Sequence, residues 1–197
     1  DLATAGEDPK GEAIRLLHDL TSALRDPQRD TISADLKRSM RKVLEADDAF
    51  TADLSDLPMS RVDAPDGKFR LLTWNVPYTN GTQRFEGMLL VQEKNRRVLY
   101  ELQDKTEKIT TPLSKKLNPE NWYGAVYYAV IPPQDKRSTY YTLLGWKGYS
   151  NVESRKVIEI LSFNGPIPSF GAQVFSEGKL KHFRKVFGFG FQSTMSL

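Results

Sequence analysis

Cysteine is missing from all 197 residues, which removes disulfides, thiolate metal sites and cysteine nucleophiles. Histidine is nearly absent. The two present, His18 and His182, stand far apart, and neither has a His or Cys partner at metal-ligand spacing, so no metal and no other cofactor is expected. No apolar run approaches the ~20 residues that a membrane-crossing helix needs. A Gly-x-Ser-x-Gly elbow and a phosphate-cradling glycine loop are also missing, so no catalytic residue can be assigned from a motif. Any activated hydroxyl would have to be assembled by folding, for example Ser162 or Ser176 beside His182.

An excess of one charge is lacking as well. Lys and Arg number 28 against 25 Asp and Glu, a net charge of +3. The cations are spread, with local clusters at 37–42 and 179–185. That distribution describes a solvated surface better than the single basic face of a polyanion binder, and no nucleic-acid partner is expected. Lys185-Val186-Phe187-Gly188-Phe189-Gly190-Phe191 approximates an RNA-stacking strand, but Val186 replaces its glycine and Gly190 its aliphatic residue. Phe187, Phe189 and Phe191 share one face of an extended strand. Gly188 and Gly190 leave the other face bare for close packing.

The chain changes texture near Pro65. Before it, apolar residues fall at helical spacing. Asp8-Pro9 is a helix start, since Asp caps free N–H groups and Pro tolerates the first turn. Ala13, Leu17, Leu20 and Leu24 then form one stripe, which Pro27 ends. A second helix from Thr31 aligns Leu36, Met40, Val43, Ala46 and Phe50. The short link predicts an antiparallel pair. Residues 1–8 are polar and predict a loose tail.

After Pro65 come short runs rich in Tyr, Phe, Val, Ile and Trp. Pro65-Asp66-Gly67 is a turn, 69–76 a strand, Asn80-Gly81 a hairpin turn and 84–92 the returning strand. Residues 97–102 complete a meander. The polar stretch 104–121 is the longest irregular segment, with a helical turn possible at 113–117. Further strands are expected at 122–131, 139–147, 155–163, 173–176 and 181–192. The hairpin of Leu71-Leu72-Thr73-Trp74 is faintly echoed by Leu143-Leu144-Gly145-Trp146. The whole reads as α+β, with two N-terminal helices (1–57) packed on a mostly antiparallel, curved sheet or β-sandwich (58–197).

Two features carry functional expectations. Trp122 and Tyr123 follow the long polar loop and Tyr149 lies in a turn after Trp146. Together they predict a ligand-binding aromatic ledge rimmed by Lys115, Lys116 and Lys147, able to stack a sugar ring or receive a peptide side chain. Glu86, Glu101 and Glu159 lie within strands and are the alternative, a carboxylate pair for hydrolysis of an envelope polymer. Cross-strand pairing with Arg84 or Arg155 is the ordinary fate of such glutamates.

The segment Lys68-Phe69-Arg70-Leu71-Leu72-Thr73-Trp74-Asn75-Val76-Pro77 resembles the start of the sheet body in uncharacterised exported proteins of the Bacteroidota. Trp122-Tyr123-Gly124-Ala125 and Tyr140-Tyr141-Thr142-Leu143-Leu144-Gly145-Trp146 are similar to the later part of the same group. The resemblance spans about Pro65 to Leu197 and implies export to the periplasm or cell surface after removal of a signal peptide. Lack of cysteine and a first residue, Asp1, that is not Met agree with it. It also implies that the chain continues past Leu197. It supplies no site residues. The function expected is a non-enzymatic extracytoplasmic binding or structural module whose partner is a glycan, a peptide or an envelope protein.

Overall fold

The structure, a computed structural model, describes residues 8–135 and 138–190. Two helices are followed by antiparallel sheets, an α+β arrangement in which no barrel closes among the described residues. The chain divides into two compact units, 1–59 and 60–197. No helix among the described residues is long and apolar enough to cross a membrane.

In the first unit, α1 (Pro9–Ser22) begins where Asp8 accepts the backbone N–H groups of Lys10 and Gly11. Helix α2 spans Asp26–Glu45. The expectation that Pro27 simply stops the first helix is corrected: Pro27 occupies the first turn of the second helix, where its missing N–H costs nothing. Leu24 therefore falls in the link, 83% exposed, and the first stripe is Ala13, Leu16, Leu17 and Leu20. The second stripe buries Leu36, Met40, Val43 and Leu44, while Ala46 caps the helix in solvent. Ser39 Oγ donates to Pro9 O at 2.6 Å, so the helices run antiparallel.

The second unit holds a four-stranded sheet, β1 (Ser60–Asp63), β2 (Phe69–Pro77), β3 (Gln83–Gln92) and β4 (Arg97–Gln103), in that spatial order. A second sheet is built from β5 (Val126–Ile131), β6 (Tyr140–Gly148), β7 (Glu153–Ser162) and, at the far edge, β11 (Lys185–Gly190). Between these last two strands, β8 (Ser169–Phe170) pairs with β7, and β9 (Phe175–Glu177) pairs with β10 (Leu180–His182). The faintly repeated hairpins are β2–β3 and β6–β7. Trp74 lies opposite Glu86 in one and Trp146 opposite Lys156 in the other.

The two sheets share one core, to which Phe69, Leu71, Phe85 and Leu89 come from the first and Tyr127, Leu143, Val157 and Leu161 from the second. The backbone N–H of Tyr127 donates to Thr73 Oγ1 at 3.0 Å, tying β5 to β2. Residues 104–121 carry two 3-10 turns, Thr106–Lys108 and Pro112–Ser114.

Two expected strands are shorter than their composition implies. The 122–131 strand starts only at Val126. Trp122 instead pairs with the first sheet's exit, its N–H donating to Gln103 O and its carbonyl accepting from Lys105 N. The 181–192 strand is broken at Phe183-Arg184, because the Arg184 side chain turns into the interior. Phe187 and Phe189 share a face as alternation requires. The tail 1–7 and residues 191–197, including Phe191, lie outside the described residues.

Candidate functional site

The three expected ligand-binding aromatics do not form an open ledge. Trp122 is 0% exposed and Tyr123 2%, and of the three only Tyr149, at 44%, reaches solvent. Trp122 belongs to the core, its indole N–H donating to the Tyr127 hydroxyl at 3.0 Å. Tyr123 is buried as well, but its place is informative: it lies beneath Tyr149 in a chain of contacts that ends on Lys147.

That lysine is the residue most at odds with its expected role on a rim. Lys147 is 1% exposed. Its ammonium donates to Thr106 Oγ1 (2.6 Å), Tyr123 O (2.6 Å) and Gly124 O (2.8 Å). It also lies 4.6 Å from the Phe85 ring centre and 4.5 Å from that of Tyr123. Burial pulls its pKa down to about 8, with nearby Asp104 opposing and Arg155 reinforcing the fall. At neutral pH the amine is still charged, and its three protons meet three acceptors. A charged amine so engaged has no lone pair for nucleophilic attack.

Asp104 organises the loop above it. One carboxylate oxygen accepts from Phe85 N at 2.9 Å, the other from Thr106 N at 2.9 Å and from the Thr106 hydroxyl. Register sets Lys147 opposite Arg155 on neighbouring strands. Two adjacent cations would repel; the Arg155 guanidinium is instead drawn outward by Glu153 Oε1, at 2.8 Å from Nε, and donates to the Tyr123 hydroxyl at 3.1 Å. Burial raises the Tyr123 pKa, which Arg155 partly counters. The guanidinium carbon then lies over Tyr149, 3.4 Å from its ring centre. Tyr149 is thus held on a stack of fixed side chains.

A groove of about 620 Å³ opens beside this ring, lined by Tyr78, Arg84, Lys105, Lys108, Lys147 and Tyr149 among others. Its walls are the β2–β3 turn, the loop after β4 and the β6–β7 turn. The two hairpin tips meet because Gly81, at φ +83°, has no side chain: a Cβ there would lie 2.7 Å from that of Asn151. Arg84 spans the groove's edge, 5.7 Å over the Tyr78 ring and bonded to Glu86 at 2.8 Å. Lys115 and Lys116 are exposed but do not line this groove.

The three strand glutamates divide between the two sheets. Register puts Glu86 and Glu101 on one face of the first sheet, with Glu86 buried and paired to Arg84. Glu159 lies in the other sheet and is fully buried against Arg184, whose Nε stands 3.1 and 3.0 Å from its two oxygens. Burial raises its pKa and Arg184 opposes the rise. Ser162 shares a hydrogen bond with Ser169 at 2.8 Å, and the His182 imidazole lies 3.3 Å from Glu177. Comparison with protein-family models, curated proteins and solved structures finds no match.

Sequence reasoning missed Tyr78, Arg84, Lys105, Lys108 and the buried state of Lys147. One signal was present: Lys147 falls in the alternation phase of Tyr141 and Leu143, the phase that faces the core.

Proposed function

We propose that this chain is a non-enzymatic extracytoplasmic binding module whose ligand, a glycan, a peptide or an envelope component, occupies the groove beside Tyr149. The observation that carries the reading is the mounting of that ring. An exposed aromatic fixed by Arg155, with Arg155 held in turn by Tyr123 and Glu153, presents area to a ligand at little entropic cost. Lys147 supports the floor with all three protons committed, which favours binding over covalent chemistry. The alternative, a hydrolase acting through strand carboxylates, needs two acids across one cleft, and Glu159, the glutamate with the raised pKa, is committed to Arg184. Export rests on the cysteine-free composition and on the resemblance of the sheet body to exported proteins.

The test is a glycan and peptide array probed with the full chain and with Tyr149→Ala. Binding by the wild type that is lost in a variant of unchanged melting temperature is the expected result. Equal binding by both proteins refutes the groove as the site.

A further inference from the structure

Charge and the aromatic wall narrow the ligand further, on the condition that the groove is the binding site as proposed above. Lys105 and Lys108 stand at one wall, and nothing among the described contacts neutralises either side chain there. Asp104 and Glu107 in the lining and Glu86 beside Arg84 oppose the four cations Arg84, Lys105, Lys108 and Lys147, and three negative charges against four positive ones leave a small positive surplus.

The second observation concerns Tyr149. A guanidinium lies 3.4 Å behind its ring. A cation on one face withdraws the negative potential that an aromatic ring ordinarily presents. A second cation gains little there, so the ring is left to a neutral group and supplies contact area. The third is shape. The groove lies among hairpin tips, not along an unpaired strand edge, so an extended peptide finds no ladder of backbone donors and acceptors. Thr82 and Gln83 also line the groove; the Thr82 hydroxyl donates to Asn80 Oδ1 at 2.7 Å and Gln83 Oε1 accepts from Asn75 at 2.6 Å, which leaves the hydroxyl lone pairs and the Gln83 amide N–H groups to meet sugar hydroxyls.

We propose that the ligand is an acidic saccharide, with a sugar ring against Tyr149 and its carboxylate toward Lys105 and Lys108. The two lysines steer and select by charge, and the tyrosine supplies contact area.

Calorimetric titration of the full chain with oligogalacturonate, with its methyl ester as the neutral isostere and with oligoglutamate tests this. The acidic saccharide is expected to bind about tenfold more tightly than the ester, with affinity falling as salt rises. Lys105→Glu/Lys108→Glu is expected to remove most of that preference, about a tenfold loss, with the melting temperature unchanged. Equal affinity for acid and ester, with both lost in Tyr149→Ala, overturns the charge inference and leaves the groove standing. Acid-selective binding that survives Tyr149→Ala puts the ligand elsewhere and overturns the groove reading itself. Preference for oligoglutamate, or no binding of the acidic saccharide, overturns the proposal.

Discussion

Replacing Arg184 by Met should be among the most damaging single changes in the sheet unit. The side chain is fully buried. Its Nε meets both oxygens of Glu159, Nη1 donates to Lys115 O at 2.8 Å and to Pro112 O, and Nη2 donates to Phe170 O at 3.1 Å. Methionine fills much of the volume but donates nothing. A buried carboxylate loses its partner, which costs about 3–5 kcal/mol. Three carbonyls lose a donor, and each one left dry costs about 1–3 kcal/mol. Water reaching the loops will recover part of the second sum, so the expected loss is about 4–6 kcal/mol. That is a large share of the ~5–15 kcal/mol typical of a folded domain. Urea unfolding followed by tryptophan fluorescence is a suitable assay, because Trp74, Trp122 and Trp146 all lie in this unit. Arg184→Met/Glu159→Leu removes both charges and should cost at least about 2 kcal/mol less than the two single changes added together. Strict additivity of the two changes, or a loss below about 1 kcal/mol for Arg184→Met, would refute the reasoning.

Other expectations follow from single contacts. Leu36→Ala in α2 empties a fully buried site and should destabilise the helical unit by about 2–5 kcal/mol, measured from helical circular dichroism. Gly124 sits at φ +65°, where a Cβ would lie 2.6 Å from the Asp104 carboxylate carbon. Gly124→Ala should therefore cost more than the ~1–2 kcal/mol of a left-handed residue, read as a lowered urea midpoint; a neutral result shows the loop to be free to move. Lys147 binds its proton less tightly folded than unfolded, with a folded pKa of about 8 against 10.5. The unfolded chain therefore holds more protons between those values, and stability must rise with pH across that window. Relative to Lys147→Met, the wild type should gain about 2 kcal/mol between pH 7.5 and 9.5. A flat difference, or an NMR titration of the Lys147 ε-carbon centred near 10.5, contradicts the desolvation of this amine. Fractionation of the native host should recover the full-length protein outside the cytosol, and an unprocessed cytosolic form would end the export proposal.

Much of the fold was legible in local chemistry. Asn80-Gly81 and the apolar runs beside it specify the β2–β3 hairpin, since a tight turn of that kind fixes register. Asp8-Pro9 specifies the start of α1 through capping. Errors arose where one side chain overrode its segment. Residues 181–192 have strand composition, but Arg184 goes to Glu159, and the backbone breaks to deliver it. Residues 122–125 have strand composition too, yet Trp122 pairs with Gln103 and Lys105, and Gly124 takes a left-handed turn. The groove was less legible for a different reason. Tyr78, Arg84, Lys105 and Tyr149 come from three separate turns, and only the mutual placement of the two sheets brings them together. What could be read was phase: Lys147 shares the core-facing phase of Leu143, and Glu159 that of Val157 and Leu161, a pattern that demands buried partners.

Arg184 also imposes an order on the making of the protein. Ribosomes deliver the chain from its N-terminus, and the carbonyls of Pro112 and Lys115 emerge some seventy residues before the guanidinium that satisfies them. Until Arg184 arrives, Leu117 can bridge to Phe170, but the Pro112 and Lys115 carbonyls and the Glu159 carboxylate stay hydrated, so the nascent sheets must wait with a wet gap beside Glu159. Closing that gap requires stripping water from a charge, and it must wait until residue 184 has emerged. A chain interrupted before residue 184 would carry both main sheets short of β11 and still lack its clasp, which makes the arrival of Arg184 a checkpoint for the whole unit. In a protein without cysteine, this closure is also indifferent to the redox state of the compartment where it takes place.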